Sequence, residues 1–149
     1  MRFILDTNIW ISYLLARDEK STLVQLVSVC MDPVHTLIMP PEVVHELQTS
    51  ITKYPYLRTR ITQKQVDALV QEIMRIAEHP DSLQSELTRY GRDPKDDYLI
   101  AYGLIYTADY LVTGDADLLV LASVEQLQIV PPADMRRMLE QHGLWSPLL

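Results

Sequence analysis

Four short apolar runs, "RFIL" (2–5), "TLIM" (36–39), "DYLV" (109–112) and "LQIV" (127–130), are separated by segments with helical spacing. Runs of four residues are too short for buried helices and read as strands enclosed on both faces. The intervening segments read as helices over 8–15 and 21–30, then over about 41–50, where Pro41 suits a first turn. "TQKQ" (62–65) has the form of a capping box. After it, Val66, Leu69, Val70, Ile73, Ile76 and Ala77 repeat at helical spacing up to Pro80. Asp93-Pro94 starts a helix to about 107, 115–119 forms a helical turn, and a last helix covers about 133–142. A further short strand is expected near 83–88. Strands alternating with helices dictate βαβ units and a parallel sheet covered by helices. With 149 residues and no repeat, low-complexity tract or linker, the expectation is one α/β domain over 1–149.

The acids fall where such a sheet binds ligands, beyond the carboxyl ends of its strands. Asp6 follows the first strand, and Asp115 and Asp117 follow "DYLV" in "VTGDADLL". Helices bring more. Glu42 and Glu46 in "PPEVVHEL" are four apart and share a face. Asp93, Asp96 and Asp97 crowd a helix start, with Asp96 and Asp97 about 100° apart around the axis. Each acid alone also suits a helix cap or a first turn near the positive end of the helix dipole. Asp93, Asp96 and Glu42 keep that reading. Asp6, Glu46, Asp97 and Asp115 together do not, because acids gathered at one mouth repel unless a cation offsets them. Oxygen-only ligands select a hard divalent ion, Mg²⁺ or Mn²⁺.

Composition narrows the classes. A net charge of −7 argues against broad electrostatic binding to nucleic acid or anionic membrane. The single cysteine, Cys30, excludes an intrachain disulfide and fits a reducing compartment. The first residues lack a signal-peptide pattern, and no uncharged apolar run reaches transmembrane length, so the expected location is the cytoplasm. His35, His45, His79 and His142 are scattered and form no zinc pattern with one cysteine. Thr7, Ser12 and Cys30 have no adjacent histidine to activate them as nucleophiles.

The order "ILDTNIWIS", "PPEVVHEL", "RDPKDDYLIAYGL", "ADYLVTGDADLL" resembles the PIN-domain nucleases, most of all the VapC-like toxins of toxin–antitoxin pairs. The likeness runs over about 2–134, leaving the end of a C-terminal helix and a tail at 135–149. By that resemblance Asp6, Glu46, Asp97 and Asp115 are the four catalytic, metal-holding acids. Asn8 and Thr113 support them, with Asp96 and Asp117 as auxiliaries that compete with Asp97 and Asp115. The resemblance implies a parallel sheet of order 3-2-1-4-5 and metal-dependent hydrolysis of single-stranded RNA to a 5′-phosphate and a 3′-hydroxyl. It also implies a homodimer and a neutralising antitoxin.

An acidic protein needs a cationic surface to hold RNA. No acid occurs between Glu46 and Asp67, where Lys53, Arg58, Arg60 and Lys64 surround Tyr54 and Tyr56. Cations meet phosphates and tyrosines stack on bases; the same stretch also suits a solvated connection between helices, or cover by an antitoxin. Two other readings stand beside the nuclease: a PIN-like RNA- or protein-binding module without catalysis, and another phosphohydrolase. The phosphoaspartyl phosphatases start Asp-x-Asp, whereas Asn8 occupies the second place here. The apolar tail "GLWSPLL" (143–149) either packs on its own domain or meets a second subunit.

Overall fold

The computed structural model describes residues 1–83 and 97–147, and of Asp97 the backbone alone. The strands are β1 (Arg2–Leu5), β2 (Thr36–Leu37), β3 (Tyr110–Val112), β4 (Ser123–Val124) and β5 (Leu127–Val130). The helices are α1 (Thr7–Leu15), α2 (Thr22–Cys30), α3 (Pro41–Lys53), α4 (Gln63–Ile76), α5 (Asp97–Ile105), α6 (Ala116–Leu119) and α7 (Pro132–Gln141), with a 3₁₀ turn over Pro55–Thr59.

The sheet order is β2-β1-β3-β5-β4. β1 pairs in parallel with β2 and with β3, and β3 with β5. Phe3, Ile4 and Leu5 of β1 and all of β3 are buried, as continuous apolar runs at the centre of a covered sheet must be. The four apolar runs of the sequence thus take the relative order expected for them within 3-2-1-4-5, and the structure adds the short β4 beside β5. Beyond β2, Glu78 makes an isolated parallel bridge to Ile38; the strand expected near 83–88 lies outside the described residues except for Leu83. At the other edge the short β4 folds back antiparallel on β5. Ala122 (φ 59°) and Glu125 (φ 52°) flank it in the left-handed region. Neither is a glycine, so no turn residue marks this strand in the sequence.

The helix signals correspond to local contacts. Thr62 and Gln65 form both bonds of the capping box: the Gln65 amide donates to the Thr62 hydroxyl at 3.2 Å, and the Thr62 amide to the Gln65 carboxamide oxygen at 2.8 Å. Helix α4 then buries Val66, Leu69, Val70 and Ile73 and ends at Ile76, before Pro80. Helix α3 has Pro41 in its first turn and runs three residues further than expected, to Lys53. Gly103 lets α5 approach β5, since a Cβ there would stand 2.7 Å from Leu127 Cδ2. The tail packs on its own domain as far as Trp145: Leu144 and Trp145 lie against the core, and the Arg136 guanidinium stands over the Trp145 ring at 5.0 Å.

Candidate active site

β1 and β3 are parallel neighbours, so their carboxyl ends open at one edge. The Asp6 amide donates to the Val112 carbonyl at 3.0 Å, which brings the residues just after both strands together. Asp6 occupies the cap position of α1, yet its side chain makes no capping bond. Instead Oδ2 accepts from the Thr113 hydroxyl at 2.8 Å. That hydroxyl also accepts from the Asp115 amide at 3.0 Å. A hydroxyl has one proton, so with the amide donating to it, that proton is committed to Asp6. Thr113 is fully buried and Asp6 is 4% exposed.

Glu46 enters from α3. Its two oxygens accept from different elements: Oε2 from the Thr7 hydroxyl at 2.6 Å, and Oε1 from the Tyr98 hydroxyl at 3.0 Å. Tyr98 is the second residue of α5, so this bond ties the start of α5 to the acid on α3. Burial, and then the charges of Glu46 and Asp6, push the Tyr98 phenol well above its ordinary range, and it remains a donor.

The Asp6 carboxyl is pushed above the usual carboxylate range. Burial is the main cause, with repulsion from Glu46 and Asp115 adding to it; hydrogen bonds from Thr113 and the Thr7 backbone act in the opposite direction. Asp6, Asn8, Glu46 and Asp115 line one cleft of about 510 Å³.

The remaining expected residues divide. Asp97 opens α5 next to Tyr98, but its side chain, like the whole of Asp96, lies outside the described residues. Asp115 has two roles: it lines the cleft, and its Oδ1 accepts from the Asp117 amide at 2.9 Å as the cap of α6. Asp117 sits in the first turn of α6 and is not part of the cleft wall. Among the cationic and aromatic candidates, Lys53 and Tyr54 line the cleft. The Arg58 guanidinium turns back onto the Ile51 and Thr52 carbonyls at the end of α3, at 3.2 and 3.3 Å. Tyr56, Arg60 and Lys64 are exposed outside the cleft wall.

Sequence reasoning missed the two hydroxyl donors to Glu46, and it left His45 among the scattered histidines although His45 lines the cleft. The one available signal was adjacency: Thr7 follows Asp6, and Tyr98 follows Asp97.

The donor set fits a hard divalent cation, because every acid lining the cleft offers oxygen. Among the described residues no three His, Cys, Asp or Glu side chains form a ready cage.

Comparison with known proteins agrees with this architecture. The family model for the PIN domain matches residues 2–117. A search of curated proteins finds no match. Among solved structures, the fold is similar to a chain in the crystal structure of VapBC2 from Rickettsia felis bound to a DNA fragment from their promoter. The two are 13% identical with a TM-score of 0.57, over 88% of this chain and 98% of that one. At that identity the likeness speaks to the fold alone. The family model spans most of the chain, and the sheet carries acids at the edge where β1 and β3 end: the chain belongs to the PIN-domain family.

Proposed function

We propose that this protein is a divalent-metal-dependent endoribonuclease that hydrolyses phosphodiester bonds of single-stranded RNA. The observation that carries the reading is the convergence of Asp6, Glu46 and Asp115 on one cleft, close enough for Glu46 and Asp115 to raise the Asp6 carboxyl. A buried acid repelled by two neighbouring acids is costly for a fold to keep, and a cation offsets that cost.

Asp6, Glu46, Asp97 and Asp115 would hold Mg²⁺ or Mn²⁺, with Asn8 beside them, Asp96 as the alternative to Asp97 and Asp117 as the alternative to Asp115. Bound there, the ion would supply a water of lowered pKa and stabilise charge on the phosphoryl oxygens and leaving group. The chain's own part is orientation. Thr113 fixes Asp6 and the backbone of Asp115 together, while Thr7 and Tyr98 fix Glu46. No side-chain nucleophile is required.

The biological setting we propose is a cytoplasmic toxin that forms a homodimer and is neutralised by a cognate antitoxin. The VapC-like order of motifs and the fold shared with VapBC2 support it. No described helix is long and apolar enough to cross a membrane.

The test is cleavage of a defined single-stranded RNA with Mg²⁺, Mn²⁺ or EDTA, comparing wild type with Asp6→Asn and Asp97→Asn. Metal-dependent cuts that both variants lose are expected. Equal cutting by wild type and Asp6→Asn sinks the site assignment. No cleavage, together with no metal binding at millimolar concentration, turns the reading to a binding module without catalysis.

A further inference from the structure

The acids occupy one end of the cleft. Glu46 and Lys53 are seven positions apart on α3, close to two full turns, so they lie on one face about 10 Å apart along the axis. Thr49 lies between them and lines the same cleft, as does Tyr54. The Lys53 ammonium stands over the Tyr54 ring, 5.3 Å from its centre. Among the described residues Lys53 makes no ion pair, although the chain carries a net charge of −7. Tyr54 is 38% exposed, and the still more exposed Tyr56 packs tilted against it at 6.1 Å between ring centres. A cation with no carboxylate partner among the described residues, beside a partly exposed aromatic ring, pairs the two chemistries that hold a nucleotide: charge for phosphate and a face for a base.

We infer that this end of the cleft is a subsite for one unpaired nucleotide of the RNA strand, its phosphate on Lys53 and its base stacked on Tyr54. The inference rests on the nuclease reading of the same cleft and deepens it. A ring can take a base only when that base is out of its own helix, so the subsite selects single strands. Two turns of α3 separate it from Glu46. The bound nucleotide is therefore a neighbour of the scissile bond, and its contacts contribute to affinity more than to the chemical step.

The experiment measures affinity and does not require cleavage. A dye-labelled single-stranded RNA is titrated with Asp6→Asn protein in Mg²⁺ and followed by anisotropy. In that background Tyr54→Leu is expected to weaken binding by at least about fivefold, the loss of one stacked base, while Tyr54→Phe keeps the ring and the affinity. Lys53→Gln is expected to reduce the slope of log K against log salt by about 0.7. Lys20→Gln, on an exposed position outside the cleft wall, leaves affinity and slope unchanged. A duplex of the same sequence competes poorly.

Unchanged binding in both Tyr54→Leu and Lys53→Gln overturns the subsite; so does equal competition by duplex, or no measurable RNA binding by the Asp6→Asn parent. The two readings fail separately. Wild type that does not cut, with binding that still depends on Tyr54, removes the nuclease and keeps the subsite. Wild type that cuts, with affinity and KM unaltered in both variants, removes the subsite alone.

Discussion

At the scale of single residues, hydroxyl groups hold the carboxylates of Asp6 and Glu46. Thr113 donates to Asp6, and Thr7 and Tyr98 donate to the two oxygens of Glu46. A hydrogen bond to a charged group contributes more than one between neutral groups, about 1.5–3 kcal/mol. Each of these donors also fixes an angle. If Glu46 holds a metal ion, Tyr98→Phe removes one of its two orienting donors while keeping the buried ring. The expected outcome is a loss of about 10–100-fold in Mn²⁺ affinity, read by calorimetry on the RNA-free protein. Thr7→Val behaves in the same way, and Thr7→Ser restores affinity. Wild-type affinity in Tyr98→Phe and Thr7→Val would mean that Glu46 needs neither donor. That Asp6, Glu46 and Asp115 come to one cleft was expected from motif order, which is a local property. Their donors were not. Thr7 meets Glu46 across 39 positions and Tyr98 meets it across 52, and nothing in either neighbourhood says which carboxylate a hydroxyl will reach.

At the scale of elements, legibility follows how local the cause is. The capping box at Thr62 and the proline in the first turn of α3 are short-range signals, and both helices form where they indicate. β4 depends instead on left-handed backbone at Ala122 and Glu125, residue types that announce no turn. The 3₁₀ turn at Pro55–Thr59 carries a proline at its start, but nothing local marks its Leu57, buried beneath a stretch that reads as a polar connection. Function and stability should also separate at this scale. Thr62 is exposed at the start of α4, away from the cleft wall, whereas Glu46 lies on α3. Thr62→Ala removes the oxygen that accepts from the Gln65 amide and should cost about 1 kcal/mol of stability by urea unfolding. Its divalent affinity should stay that of wild type. A stability change within error would mean that the box contributes nothing to holding α4 on the core.

At the scale of the whole molecule, the parallel pairing of β1 and β3 sets a buried carboxylate at the edge where acids converge, and that placement has a thermodynamic signature. Asp6 titrates near 3.8 as an unperturbed carboxyl and higher in the folded protein, because burial and the charges of Glu46 and Asp115 disfavour its ionised form. Between those two values the folded chain binds more protons than the unfolded one. The Asp6 contribution to stability therefore falls as pH rises through that window, and above it the full cost of the buried charge remains. Asn in place of Asp6 retains an oxygen to accept from Thr113 and removes that charge. In EDTA at pH 7, Asp6→Asn should melt higher than wild type by about 2–4 °C, corresponding to ~1 kcal/mol. The difference should shrink as the pH is lowered toward 3.8. Divalent cation should reverse the ranking. An ion that binds only the folded wild type stabilises it by about 2.7 kcal/mol at a hundred times its dissociation constant, and the variant gains little. Melting curves of both proteins, with EDTA and with Mn²⁺, read the whole cycle. If Asp6→Asn melts lower than wild type in EDTA, Asp6 is a structural anchor rather than a charge held in place for a cation.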